Sequence, residues 1–173
     1  PDWFYDQYGD ARLLDEHYES MKRWIAFMSQ FVKDDLMPAD RDRYGDWCVP
    51  PEQPEMIHSK DPARKTAGAL LASAYFYHLL DRMARYAERL GKPDEAASFA
   101  RRAEAVKAAF NRAFYRAEAG LYGNGTQTSS VLPLSFGLVP DGQRVRVFDN
   151  LVENILVENR GHLATGLIGG QWL

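Results

Sequence analysis

Residues 66–80 carry no formal charge, and alanine, leucine, tyrosine and phenylalanine occupy every side of the helix that they would form. A helix that is apolar all round must be enclosed by other elements. The segments on either side differ, because residues 11–32 and 93–115 each combine one apolar stripe with charged residues on the other faces. The sequence therefore predicts a buried helix between two helices that each expose one face to water.

The same alternation continues toward the end of the chain. Residues 127–136 are uncharged, and residues 143–159 are again amphipathic. We expect Pro133 to bend or interrupt the uncharged helix, because proline lacks a backbone N–H. Gly91 followed by Pro93 predicts a tight hairpin between two helices, since glycine suits the position after a helix and proline suits the first helical turn.

Exposed helices that alternate with buried ones are most simply arranged as a double shell of antiparallel hairpins. We therefore predict an all-α fold, part of an (α/α) toroid, with residues 1–173 in one domain. A tetratricopeptide-type solenoid would need a repeat of about 34 residues, which the sequence lacks. A four-helix bundle offers no place for a helix that is buried on all sides.

The charge and hydropathy of the chain argue against two classes of partner, nucleic acids and membranes. The net charge is −3 and the 21 lysine and arginine residues are dispersed among acidic ones, which argues against nucleic acid as a partner. The longest uncharged stretch, residues 121–140, contains Pro133 and several glycines, so it indicates buried protein and not a membrane span. Residues 1–10 are aromatic and acidic, unlike the basic and then apolar start of a cleavable signal.

A loop at residues 44–50 places Asp46 beside Trp47 between glycine and proline. A carboxylate can accept hydrogen bonds from two sugar hydroxyls, and an indole offers a flat apolar surface to the C–H side of a pyranose ring. The pair therefore fits a sugar site. A structural alternative stays open, in which Asp46 caps a helix and Trp47 anchors the core.

Two further loops, residues 122–127 and 161–165, contain candidates for the same site. His162 lies in glycine-rich backbone that a ligand can approach closely. Gln127 and Thr128 are candidates of the same kind, although amide and hydroxyl side chains are also favoured at a helix start. In a toroid of hairpins every second connection emerges at the same end, so the three loops can converge on one pocket.

Other chemistries find no support in the sequence. His17, His58 and His78 show no metal-ligand spacing with Cys48 or with a carboxylate, so we predict no metal site and no cofactor. His78 lies within the apolar helix and is expected to be a core histidine. The chain has no nucleophile elbow, no P-loop and no dinucleotide fingerprint. A carboxylate, aromatics, amides and hydroxyls on convergent loops suit glycoside chemistry better than acyl or phosphoryl transfer.

Five landmarks in series resemble the catalytic domain of bacterial α-L-rhamnosidases of glycoside hydrolase family 78. They are Tyr8-Gly9-Asp10 with Leu13-Leu14, Tyr18-Glu19-Ser20-Met21-Lys22-Arg23-Trp24, Tyr44-Gly45-Asp46-Trp47, Gln127-Thr128 leading to Phe136-Gly137-Leu138-Val139-Pro140, and Gly161-His162-Leu163-Ala164-Thr165-Gly166 with Gly169-Gly170-Gln171-Trp172-Leu173.

The resemblance implies an (α/α)6 barrel, of which residues 1–173 would be the central part, and inverting hydrolysis of terminal α-L-rhamnosides by a general acid and a general base. In that family the acid lies upstream and the base downstream of the matched region. The resemblance therefore assigns no catalytic residue here, and the chain alone is expected to be inactive. It implies a rhamnose-containing glycan or glycoside as partner, with Trp47 as an aromatic surface, Asp46 as a hydroxyl acceptor or a residue that orients the loop, and His162 as a subsite contact.

Two functions stay open at this point. The chain is either a piece of a rhamnosidase or a self-contained, non-catalytic helical domain for carbohydrate binding or scaffolding. The apolar residues at 167–173, where no cap ends the helix that they predict, favour the first. An incomplete barrel would leave the apolar faces of residues 66–80, 127–136 and 167–173 uncovered, so we expect self-association as a twofold dimer, or aggregation.

Overall fold

Antiparallel helical hairpins make up the fold. The computed structural model describes residues 2–42 and 44–173. Over these residues the chain forms α1 (Asp2–Tyr8), α2 (Arg12–Ser29), α3 (Gly68–Arg89), α4 (Pro93–Phe114), α5 (Gln127–Phe136), α6 (Arg144–Glu153) and α7 (Leu167–Gly170). A two-stranded antiparallel hairpin joins β1 (Tyr115–Arg116) to β2 (Leu121–Tyr122).

Burial alternates along the chain as the sequence predicts. Nine of the ten residues of α5 and ten of the 22 residues of α3 are buried, whereas α2 has three buried residues among 18 and α6 has two among ten. One part of the expectation is wrong, because residues 66–80 are not enclosed on every side. Ala72 and Tyr75 are only half-buried and Leu79 is 36% exposed, so one face of α3 lacks cover within the described residues.

The connection between α3 and α4 is the tight hairpin that the sequence predicts. Gly91 adopts a φ of +70°, a left-handed conformation that glycine takes without steric cost. Its neighbour Lys92 donates its backbone N–H to the carbonyl of Ala87 at 2.8 Å. Pro93 then opens α4 in its first turn, where the missing N–H has no helical partner to lose.

Two expectations about helix continuity need correction. α5 runs through Pro133 without interruption, because packing on all sides outweighs the loss of one helical hydrogen bond. The amphipathic segment at residues 143–159 is not one regular helix. α6 ends at Glu153 and a π-helical turn, Asn154–Glu158, follows it. There the side-chain amide of Asn159 donates to the carbonyl of Asn154 at 2.9 Å and closes the turn.

α5 is also better covered than we expect for residues 127–136 in an incomplete barrel. The rings of Trp172 and Phe136 pack nearly perpendicular to each other, at 4.8 Å between ring centroids, and the indole N–H of Trp172 donates to the Tyr75 hydroxyl at 2.8 Å. The uncovered apolar side chains lie mainly elsewhere. They include Trp3 and Tyr8 of α1, Trp24 and Phe27 of α2, Val145 and Phe148 of α6, and Leu156 and Val157 of the π-helical turn.

Candidate functional site

Three connections in the chain each lead into the N-terminus of α3, α5 or α7, and they meet at one end of the helices. The hydroxyls of Thr66 and Thr126 lie 2.6 Å apart, which joins the start of α3 to the start of α5. The side-chain amide of Asn124 donates to the carbonyl of Lys65 at 2.9 Å. The α7 connection joins them through Gln127, whose amide contacts the loop of His162. The three connections thus lie together, as the sequence predicts, and a single sugar pocket shared by them stays a prediction.

Asp46 is the point at which these connections are fastened together. Its carboxylate is 6% exposed. Oδ2 accepts hydrogen bonds from the hydroxyl of Thr128 and from the backbone N–H of Gly166, the latter at 3.1 Å. Oδ1 accepts the backbone N–H of Gly169 at 3.2 Å. One carboxylate therefore links its own loop to the first turn of α5 and to α7.

Two glycines make this close approach possible. A Cβ on Gly166 would lie 2.5 Å from the carbonyl oxygen of Asp46 and 2.7 Å from its Oδ1. A Cβ on Gly169 would lie 2.9 Å from Cβ of Thr128. All three distances are too short for any side chain, so glycine is required at Gly166 for the contact with the Asp46 loop and at Gly169 for the contact with Thr128 of α5. Gly166 and Gly169 thus serve packing within the chain.

Trp47 follows Asp46 and extends its ring outward. The side chain is 54% exposed, and its ring centroid lies 6.1 Å from that of the exposed Tyr44. Its backbone is held firmly, because the carbonyl of Trp47 accepts the N–H of Leu167 at 2.7 Å. Cys48 adopts a φ of +61°, which turns the chain directly after the indole. Trp47 is therefore not a core anchor.

His162 is exposed, and the contacts of its segment are made by the backbone. Gln127, which is 2% exposed, donates from Nε2 to the carbonyl of His162 at 3.2 Å. Its Oε1 accepts the backbone N–H of Ala164 at 2.8 Å. The direct contact of His162 with a sugar stays a prediction, as do those of Asp46 and Trp47. Gln127, a minor candidate in the sequence, proves to hold that loop in place.

Two cavities flank the Asp46 loop and α5. One, of about 220 Å³, is mostly apolar and lies between α2 and α3, with Trp24, Tyr75, Leu79, Gly45 and Ile168 among its lining residues. The other, of about 200 Å³, is more polar; Arg64, Asn124, Gln127, Glu158 and Ala164 help to line it. Neither Trp47 nor His162 lines these two cavities. Both side chains thus belong to the rim of this end of the fold.

Tyr75 is a residue of this region that the sequence reasoning missed. Its hydroxyl accepts hydrogen bonds from the side chains of Gln171 at 2.7 Å and Trp172 at 2.8 Å. Burial raises the pKa of the Tyr75 phenol, and the nearby charge of Asp46 acts in the same direction. In the sequence Tyr75 is one aromatic among several in an apolar helix, so no local pattern distinguishes it.

His78 belongs to the packing of α3 and α5. Its ring stacks on Phe136 with 4.2 Å between ring centroids, and burial lowers the pKa of the imidazole. Within residues 2–42 and 44–173, no group of three or more histidine, cysteine, aspartate or glutamate side chains is arranged to hold a metal ion. In the same ranges, no helix has both the length and the hydropathy to cross a membrane.

Comparison with known proteins gives a consistent result. Residues 1–173 match the family model for the bacterial alpha-L-rhamnosidase 6 hairpin glycosidase domain. The chain is 34% identical over 167 residues to an alpha-L-rhamnosidase of Streptomyces avermitilis, with 95% of this chain and 14% of that protein covered. It is 32% identical over 165 residues to an alpha-L-rhamnosidase of Formosa agariphila, with 95% and 17% covered.

Solved structures agree. The crystal structure of the Streptomyces avermitilis alpha-L-rhamnosidase complexed with L-rhamnose matches with a TM-score of 0.82 at 32% identity, over 96% of this chain and 14% of that one. The alpha-L-rhamnosidase from Dictyoglumus thermophilum also matches at 0.82 and 32%, over 95% and 18%. The chain spans less than a fifth of these proteins. Its helices form part of an (α/α)6 barrel.

Proposed function

Because the chain belongs to the bacterial alpha-L-rhamnosidase 6 hairpin glycosidase family, we propose that it forms part of the catalytic domain of an inverting glycoside hydrolase. The proposed reaction removes terminal α-L-rhamnose from glycosides or polysaccharides. The observation that carries the proposal is the match of the fold, at a TM-score of 0.82, to an alpha-L-rhamnosidase complexed with L-rhamnose. In this proposal residues 1–173 are one part of a single barrel domain. They contribute a sugar-binding wall, by which we mean the surface formed by Trp47, Asp46 and His162.

Trp47 is the platform of that wall. A half-exposed indole on a firmly held loop can cover the C–H face of a pyranose ring without first paying the entropy of ordering itself. Rhamnose suits such a surface because its methyl group adds apolar area. Tyr44, whose ring centroid lies 6.1 Å from that of Trp47, extends the aromatic surface along the rim.

Asp46 holds the loop of Trp47 in position through buried hydrogen bonds. Of the two roles that the sequence leaves open, hydroxyl acceptor and loop orientation, its contacts favour orientation, because three donors of the chain already occupy its oxygens. A group so engaged and only 6% exposed is not placed to activate water. His162 is the proposed subsite contact, since its imidazole is exposed on a loop whose backbone is fixed by Gln127.

An inverting mechanism requires two carboxyl groups about 6.5–9.5 Å apart, one to protonate the leaving oxygen and one to activate water. We assign neither of them to residues 1–173. The role proposed for this chain is therefore binding and orientation of the sugar, through apolar contact on one face and polar contact at the rim.

Two measurements on the purified 173-residue chain test the proposal. With an aryl α-L-rhamnoside, we expect release of the aryl alcohol at the background rate. In an NMR titration, L-rhamnose should shift the indole N–H resonance of Trp47, which a Trp47→Phe variant identifies. Turnover at an enzyme-like rate that vanishes in Asp46→Asn would make Asp46 catalytic and overturn the assignment. An unshifted Trp47 resonance at saturating sugar would contradict the binding wall.

A further inference from the structure

The first turn of α5 presents two consecutive polar side chains that are almost completely buried, Gln127 and Thr128. They point to different loops. Thr128 donates its hydroxyl to Asp46, in the loop of Trp47. Gln127 contacts the backbone of His162 and Ala164. Two adjacent residues of one helix thus hold the two loops on which the proposed sugar contacts lie.

Both polar groups of the Gln127 side-chain amide form hydrogen bonds, one as donor and one as acceptor. The N–H₂ group donates to the carbonyl of His162 at 3.2 Å, and Oε1 accepts the N–H of Ala164 at 2.8 Å. A single side chain therefore binds a carbonyl and an N–H that lie two residues apart. An amide offers a donor and an acceptor at this spacing at neutral pH, whereas an ionised carboxylate of the same size only accepts.

Further hydrogen bonds connect the loop of His162 to the loop of Asp46 and Trp47. Asp46 also accepts the N–H groups of Gly166 and Gly169, and the Trp47 carbonyl accepts that of Leu167. The loop of His162 is thereby fastened at its start by Gln127 and at its end by the Asp46 loop.

We infer that Gln127 is a positioning residue, which fixes His162 relative to Trp47 and so sets the geometry of sugar binding at the wall. The inference rests on the proposed function for its consequence, but the positioning itself can be measured without sugar. It assigns to a buried glutamine the task of holding a loop, and it requires both the donor and the acceptor of the amide.

Gln127→Glu is the sharpest test, because it keeps the size of the side chain and removes the donor. An ionised carboxylate would face the carbonyl of His162 and repel it, while a protonated carboxyl group can donate and accept as the amide does. Arg64 and Glu158 line the cleft beside Gln127, and Asp46 lies on the side of Thr128. Burial raises the pKa of a glutamic acid, so at about pH 5 a glutamic acid at this buried position is largely protonated.

The first readout is hydrogen exchange of the Ala164 amide in the 173-residue chain. At about pH 7.5 we expect exchange in Gln127→Glu to be about tenfold faster or more than in the wild type at the same pH, because the carboxylate repels the His162 carbonyl and the loop that carries Ala164 opens more often. At about pH 5 the two proteins should exchange alike. Gln143→Glu is the matched control, since Gln143 accepts a hydrogen bond from Tyr115 and contacts neither loop. Equal exchange of variant and wild type at about pH 7.5 would overturn the inference.

The second readout is the shift of the His162 and Trp47 resonances by L-rhamnose. Gln127→Glu should weaken this binding about tenfold at about pH 7.5 and restore it at about pH 5, whereas Gln143→Glu should leave it unchanged. If the wild type shows no shift with L-rhamnose, the proposed function fails, and the exchange result still decides the positioning role. If sugar affinity in Gln127→Glu equals that of the wild type at both pH values, the inference is overturned.

A second substitution tests the inference if Gln127→Glu does not fold. Should Gln127→Glu not fold at about pH 7.5, Gln127→Asn keeps the amide but shortens the side chain by one methylene group, so it cannot reach both His162 and Ala164. An exchange rate at Ala164 that exceeds the wild-type rate by the same factor at both pH values supports the inference. Wild-type exchange in Gln127→Asn would contradict it.

Discussion

Thr128 donates its hydroxyl to the carboxylate of Asp46 across 82 positions of sequence, and both residues are buried. The pair joins the loop before α3 to the first turn of α5. Because Asp46 also accepts two backbone N–H groups at α7, one carboxylate links three parts of this end of the fold.

Replacing Asp46 by asparagine tests that link. The amide group turns one acceptor oxygen into a donor, so it must face either Gly169 or the pair Thr128 and Gly166 with donor against donor. We expect a loss of unfolding free energy of about 1–3 kcal/mol, measured by chemical or thermal denaturation. Asp149→Asn is the control, because Asp149 is exposed on α6. Equal stability of both variants would show that the carboxylate does not fasten the loops.

Alanine at Gly166 should disrupt the same contact from the opposite side. The added methyl group would lie 2.5 Å from the Asp46 carbonyl oxygen, which is backbone and cannot rotate away. We expect about 1–3 kcal/mol of destabilisation from this overlap. At Gly170, a Cβ would meet only the Thr165 hydroxyl at 3.4 Å, so Gly170→Ala should fold with nearly wild-type stability. A Gly166→Ala variant as stable as Gly170→Ala would refute this packing.

Stability should depend on pH through His78. Burial, and to a lesser degree the positive charge of Arg82, lower its pKa in the folded chain below the value of about 6.5 that it has when unfolded. The neutral imidazole therefore stabilises the fold above about pH 6.5, and this contribution is lost as the pH falls below that value toward the folded pKa. The Tm of the wild type should fall more steeply than that of His78→Phe between about pH 6.5 and 5. Parallel curves would exclude His78 as the cause.

The isolated chain should self-associate at micromolar concentration. Trp24 and Phe27 are about half exposed on α2, and an apolar cavity of about 220 Å³ opens beside them. Surfaces of this kind are rare on monomers and mark interfaces. We expect light scattering to report a twofold dimer or larger species, and Trp24→Gln to reduce it more than Phe148→Gln on α6. A stable monomer that binds no hydrophobic dye would favour a self-contained domain.

The sequence predicts much of this fold because burial leaves a local pattern. The uncharged stretch at residues 127–136 becomes α5 with the same bounds, and Gly91 with Pro93 forms the expected hairpin. The π-helical turn after Glu153 was missed, because the apolar period of the segment continues through it while its backbone hydrogen bonds change. Packing of Trp172 on Phe136 was missed as well, since it depends on residues far apart in sequence.

The candidate site, like the fold, could be predicted from the sequence only in part. The three loops could be picked out because each combines glycines with polar or aromatic residues, and their convergence follows from hairpin topology. The structural roles of individual residues could not be predicted. A buried carboxylate and a sugar-binding one look alike in sequence, and the donors that surround Asp46 appear only in the folded chain. Gln127 and Tyr75 act through contacts with backbone or side chains more than 30 residues away.

The most direct measurement is the kcat/KM for an α-L-rhamnoside of Trp47→Ala, made in the longer enzyme that we propose carries this chain. Loss of the indole platform should lower kcat/KM by about 1–3 kcal/mol of transition-state stabilisation, with little change in Tm because the ring is half exposed. Phe148→Ala is the matched control, since Phe148 is equally exposed, at 54%, but lies on α6; its kcat/KM should stay at the wild-type value. An unchanged kcat/KM in Trp47→Ala, together with a lowered Tm, would mean that Trp47 supports the fold and does not bind the sugar.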